Sequence, residues 1–207
     1  KKRPPVGGDP EDDWTPEDRD IVIREALPAY IPDAEIEEFL AGVMADDTDA
    51  VLPRVAAVRV LSEKERFENL AAWAEAARAS DPSVRQAVAE NLFRAPRDQA
   101  FGEILEPLHS DESPFVRIGS VDTQTKRREP TWLPLAGRLL EDHDEWVRFW
   151  TLLGCGAFKD EPGGAQRAGM ILRLLGESES EVDVEGAVLA LRIITGKTFG
   201  FREIDVH

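Results

Sequence analysis

Cysteine is almost missing from this chain: Cys155 is the sole one. No disulfide can close within the sequence, and a reducing, cytoplasmic setting is expected. Long apolar runs are missing too, since no stretch approaches the roughly 18 residues that a membrane span needs. Behind the basic Lys1, Lys2 and Arg3 no apolar run follows, so they do not read as a signal peptide. Histidine is scarce, and His109, His143 and His207 show no metal-ligand spacing. Gly196-Lys197-Thr198 imitates the end of a phosphate-binding loop, but that loop needs a glycine where Leu191 stands. Cys155 falls on a largely apolar stretch without a basic partner and reads as an inert core thiol. No catalytic residue, cofactor or metal is assigned. Alternation of the strand type is also rare, and the class expected is all-α.

What is abundant is negative charge. The formal net charge is −16, and it is unevenly spread. Residues 1–48 hold 5 basic and 14 acidic groups, residues 49–141 hold 13 and 15, and residues 142–207 hold 7 and 12. The field opposes approach to nucleic acid and to anionic lipid. A protein partner with a basic surface suits it better.

A five-residue phrase organises the rest. Asp81-Pro82-Ser83-Val84-Arg85, Ser113-Pro114-Phe115-Val116-Arg117 and Asp144-Glu145-Trp146-Val147-Arg148 are three clear copies. Asp49-Ala50-Val51-Leu52-Pro53 and Glu181-Val182-Asp183-Val184-Glu185 are weaker ones, with Pro53 and Glu185 in place of the arginine. Copies start at 49, 81, 113, 144 and 181, a period that marks a helical repeat array. Each of the three clear copies is a helix start, with a capping Asp or Ser and, in two of them, proline behind it.

Residues 1–13 combine Pro, Gly and charge with one aliphatic residue and read as a flexible tail. Residues 14–48 read as an N-terminal helical cap. Its first helix opens at Thr15-Pro16-Glu17-Asp18 and carries Ile21, Ile23, Leu27 and Tyr30. In its second, Ile36, Phe39, Leu40, Val43 and Met44 make one apolar stripe. Residues 49–207 form about five helix pairs, with first helices expected at 65–78, 99–109, 132–140 and 165–175.

Asp/Ser-x-x-Val-Arg opening the second helix of such a period resembles HEAT-like repeats, in particular the short variety noted in phycobilisome lyases. Leu191-x3-Thr195-Gly196-x2-Phe199-Gly200 looks like the tails that follow these arrays. The resemblance implies an α-solenoid with second helices lining a concave face. It leaves function open, because such proteins include scaffolds, lyases, regulators and DNA glycosylases.

Three groups of residues compete as sites. Arg85, Arg117 and Arg148 share one repeat position, so they either grip a partner's carboxylates or bond a neighbouring repeat and set its spacing. Asp122-Thr123-Gln124-Thr125-Lys126-Arg127-Arg128 is polar where sister helices are apolar; it is either a functional spot or a solvated loop after an early helix end. Trp146 and Trp150 lie four apart, with Trp132 on the preceding helix, and serve either an interface or the core. The protein-partner site is assigned to Arg85, Arg117, Asp122, Gln124, Lys126, Arg127, Trp146 and Arg148, with Arg117 and Lys126 expected to be at least partly exposed. The function expected is a non-enzymatic protein-binding module, such as an immunity or antitoxin-type inhibitor or a regulatory scaffold. The alternative is a HEAT-like DNA glycosylase, with Asp144, Trp146, Arg148 and Trp150 recruited to a damaged base, or a bilin-lyase-like protein.

Overall fold

A computed structural model describes residues 33–128, 131–160 and 162–197. The tail at 1–13, the first cap helix from Thr15 to Tyr30 and the residues after Lys197 lie outside this range. Every regular element among the described residues is helical, so the chain is all-α. The helices are α1 (Asp33–Ala45), α2 (Val51–Glu63), α3 (Leu70–Ala76), α4 (Pro82–Asn91), α5 (Gln99–Leu105), α6 (Pro114–Arg127), α7 (Trp132–Leu139), α8 (Glu145–Ala157), α9 (Gly164–Glu177) and α10 (Glu181–Thr195).

Two compact units divide between Pro96 and Arg97. In the first, α1 packs on α2 and α3, and α2 packs on α4. In the second, α8 lies between α6 and α10 and also touches α7, while α9 packs on α10. In each unit, helices that open with the phrase therefore neighbour one another.

Local chemistry explains the helix starts. Asp81 Oδ1 accepts from the Ser83 N–H (2.7 Å), Asp98 Oδ1 from Phe101 (3.2 Å), and Asp144 Oδ1 from Trp146 (2.9 Å) and Val147 (3.2 Å). Each carboxylate satisfies a donor that the first turn leaves without a helical partner. Pro82 and Pro114 occupy first-turn positions, where a missing N–H costs nothing. The valines of the phrase, Val84, Val116 and Val147, are fully buried.

Three sequence expectations shift. The helix expected from Glu65 starts at Leu70, because Glu65 sits in the left-handed region (φ 54) and Asn69 provides the cap to Ala72. Its buried face is Ala72, Trp73 and Ala76, while Leu70 is exposed. After α5 the chain tightens into a 3-10 turn, Glu106–Ser110, where Pro107 has no N–H for an α-helical bond. On α1, Ile36, Leu40 and Met44 are buried but Phe39 is exposed.

The weak outer copies of the phrase each slip by one residue. The caps of the five phrase helices are Ala50, Asp81, Ser113, Asp144 and Ser180. Counted from its cap, the first copy is Ala50-Val51-Leu52-Pro53-Arg54, so Arg54, not Pro53, occupies the arginine position. The last copy is Ser180-Glu181-Val182-Asp183-Val184, and Asp183 takes the valine's buried place.

Candidate functional site

Arginine four residues beyond the cap performs one job in all four helices that carry it. Its guanidinium turns back and bonds a main-chain carbonyl upstream of its own helix, in the preceding loop for Arg85, Arg117 and Arg148 and in the last turn of α1 for Arg54. Arg54 Nε donates to the Met44 carbonyl (3.1 Å), and Arg85 Nη1 donates to the carbonyls of Ala79 (2.7 Å) and Ser80 (3.0 Å). Arg117 Nη1 donates to Asp111 (2.6 Å) and Glu112 (3.2 Å), and Arg148 Nη1 to Asp142 (2.6 Å). Arg54, Arg117 and Arg148 also hold a carboxylate. Arg54 Nη1 bonds Asp47, whose Oδ1 also takes the Ser80 N–H (3.1 Å). Arg117 grips both oxygens of Asp142 at 2.8 Å each. Arg148 Nη2 meets Asp183 Oδ2 at 2.8 Å, with Nε 3.0 Å from both oxygens.

This geometry belongs to the spacing reading of the arginine row. Arg117 is only 3% exposed, and Arg85 is also buried, so the expected exposure of Arg117 is corrected. Aligned, bidentate pairs of this kind satisfy carbonyl and carboxylate groups that the fold buries between helices. Burial draws the Asp142 carboxyl upward, but hydrogen bonds from Arg117 and from the Asp144 N–H outweigh it and hold it below its ordinary value. Arg54 escaped the sequence reading because the register was one residue off; an arginine five residues past Asp49 was the available signal.

The polar segment is helix, not loop, which removes the early-end reading. α6 runs to Arg127, and Thr123, Gln124 and Arg127 are buried along it. Lys126 is exposed and bonds Asp122 one turn back at 2.5 Å. Buried beside them lies His109. Ser120 Oγ donates to the Arg117 carbonyl (2.7 Å) and so accepts from His109 Nδ1 (2.8 Å). His109 Nε2 is then the acceptor for the Gln124 amide nitrogen at 3.3 Å. Gln124 Oε1, Thr125 Oγ1 and Trp132 Nε1 are buried without a partner among the described residues, a desolvation cost that an apolar helix would not carry.

Burial holds the His109 imidazole down to about 4, against the opposing pull of Glu106. The unfolded chain takes up this proton near 6.5, whereas the fold refuses it until about 4. As pH falls through that window the unfolded state binds more protons, and stability drops by roughly 3 kcal/mol. Below it, protonation of Asp142 removes a second contribution, because its folded value is depressed. Urea unfolding between pH 7 and 4 should show this slope, and His109→Gln should flatten it. An identical slope in the variant would place the acid sensitivity elsewhere.

The tryptophans separate. Trp132 is 1% exposed and stacks on Phe158 with ring centroids 5.5 Å apart. Trp146 (51% exposed) and Trp150 (41%) lie on the open side of α8, linked by Phe149, which meets both edge-on at 5.6 and 6.2 Å. On α6, which packs against α8, the residue equivalent to Trp146 is Phe115, 63% exposed. Sequence reasoning missed Phe115, although it stands directly before the valine of the phrase, as Trp146 does. Phe115 on α6 and Trp146 and Trp150 on α8 are thus exposed aromatics on two helices that pack together. Glu145, the residue before Trp146, accepts from Ser180 Oγ at its Oε2 (2.6 Å).

Burial pushes the Cys155 thiol up to about 12, which keeps it out of the nucleophilic thiolate form. Asp144, the acid recruited to the glycosylase alternative, spends its Oδ1 capping α8. Arg148 is tied to Asp142 and Asp183. A cavity of about 370 Å3 next to α6 brings together His109, Arg117, Arg138, Asp142 and His143. Its arginines are paired, Arg117 with Asp142 and Arg138 with Glu106 (3.2 Å). Among the described residues no cluster of three or more His, Cys, Asp or Glu side chains could hold a metal, and no helix is long and apolar enough to cross a membrane. Compared with models of known protein families and with curated proteins, the chain matches none.

Proposed function

We propose that this protein is a non-enzymatic, HEAT-like repeat module that binds another protein through the face carrying Phe115, Trp146 and Trp150. The observation that carries the reading is their exposure: three large aromatic side chains open to solvent at related positions on packed neighbouring helices. Burying such groups at a partner's surface supplies apolar area and little side-chain entropy is lost, which is why aromatics dominate interface energetics. The arginine row builds the scaffold beneath and is not the gripping surface. A partner with a basic surface suits the net charge of −16. An inhibitor of the immunity or antitoxin type, or a regulatory scaffold, fits this description.

The test compares the unmodified protein with Trp146→Ala/Trp150→Ala. A basic protein should be captured from cells by the first and lost by the second, and titration of the purified pair should show binding weaker by at least ~30-fold, the equivalent of one hot spot. Stability should move by less than about 1 kcal/mol, because both residues are exposed. Gel shift on duplex DNA at low salt and base release from alkylated DNA should both be silent. Salt-sensitive DNA binding with base release would replace this reading by the glycosylase one.

A further inference from the structure

Val184 stands where the other four phrase helices carry arginine, four residues beyond its cap, Ser180. On α4, α6 and α8 that arginine reaches back to carbonyls within two residues before the cap. The corresponding carbonyls ahead of α10 belong to Ser178 and Glu179, and among the described residues no donor bonds either of them. Valine has no donor to offer, and its side chain is exposed. What remains is a groove of about 360 Å3, floored by Val184 and the half-buried Val188 and Leu189. Glu179, Glu181 and Glu185 edge it, against a single cation, Arg192.

An apolar floor under an excess of carboxylates selects a cation that brings apolar surface with it. Arginine meets both demands. Its planar fork bonds carbonyls and carboxylates in pairs, and it sheds water more readily than the ammonium of lysine. Arg85 and Arg117 show this chemistry at the equivalent place, where one guanidinium nitrogen takes two successive carbonyls. We propose that the groove on α10 is a docking site for a segment of a partner protein that presents one arginine between apolar residues. The guanidinium enters beside Val184, donates to the carbonyls of Ser178 and Glu179 and pairs with the carboxylates of the rim. The apolar neighbours of that arginine lie on Val188 and Leu189. No residue of α6 or α8 lines the groove, so this site is tested apart from the aromatic face.

The probe is a short capped peptide with one central arginine flanked by leucines, beside the same peptide with lysine or neutral citrulline. Titrated into the full chain at low salt, the arginine peptide should shift the backbone amide signals of residues 178–192 and leave those of Trp146 and Trp150 in place. The lysine and citrulline peptides should bind at least ~10-fold more weakly, since one lacks the fork and the other the charge. Val184→Arg fills the place from within and should weaken binding of the arginine peptide by a similar factor. It should also raise the melting temperature by about 2–4 °C, the shift for one net hydrogen bond in a chain of this size. Glu179→Gln/Glu185→Gln should weaken binding, flatten its salt dependence and leave melting unchanged. Trp146→Ala/Trp150→Ala should bind the peptide as the unmodified protein does. Absence of any shift, equal binding of the three peptides, or undiminished binding to Val184→Arg would overturn the proposal. So would dilution-dependent shifts at residues 178–192 without peptide, since the occupant would then be a second copy.

Discussion

Arg117→Ala is expected to destabilise the protein by about 3–5 kcal/mol, although the sequence led to an expectation of at least partial exposure for this side chain. The size follows from what the substitution leaves behind. Asp142, with only 9% of its side chain exposed, loses both of its guanidinium bonds. The carbonyls of Asp111 and Glu112 lose the donor that turns back to them. Removing one half of a buried ion pair strands the other half, and that penalty exceeds the net worth of the pair. Arg117→Ala/Asp142→Ala should recover part of the loss, because no charge is then left unpaired. Chemical denaturation of the two single variants and the double variant gives the coupling directly. A loss below about 1 kcal/mol for Arg117→Ala would show that the guanidinium is not holding this junction.

Trp132→Ala should cost a similar amount, about 3–5 kcal/mol, as for other buried aromatics cut back to a methyl. The indole is stacked on Phe158 and lies against Gly154, where an added Cβ would come within 2.6 Å of the ring. The site is so closely filled that its neighbours cannot collapse into the space left by the ring. Trp146→Ala changes the same residue type on the next helix and should shift stability by less than about 1 kcal/mol, since its side chain already faces water. Thermal and denaturant unfolding of the two variants side by side checks the contrast. Equal losses would mean that Trp146 is packed against something in solution, such as a second copy.

This contrast also marks where sequence reading stops. Helix starts were legible at Asp81-Pro82 and Asp144 because capping is a local, two- or three-residue event. The burial of Val84, Val116 and Val147 followed from their repeated place one turn inside those starts. Ends were harder: Pro107 tightens its turn as its chemistry dictates, but nothing local announces the left-handed Glu65. Which tryptophan is core and which is exposed depends on the neighbour each helix meets, information that spacing along one helix does not contain. The same limit applied to Arg117 and Gln124. Their polarity suggested solvent, whereas Asp142 and His109, 25 and 15 residues away, give them partners inside the fold.

The bonds at the second unit's junctions also define what can be copied or deleted. Arg117 draws on two carbonyls just before its cap and on a carboxylate 25 residues downstream, and Arg148 repeats the first part with the carbonyl of Asp142. A block from Ser113 to His143 therefore carries one complete set of donors and acceptors for its neighbours. Duplicating that block in tandem would regenerate each junction with its partners in register. A cut in the middle of a helix pair would instead separate arginines from their acceptors. The unit that can be copied without stranding a charge is bounded by where a guanidinium reaches.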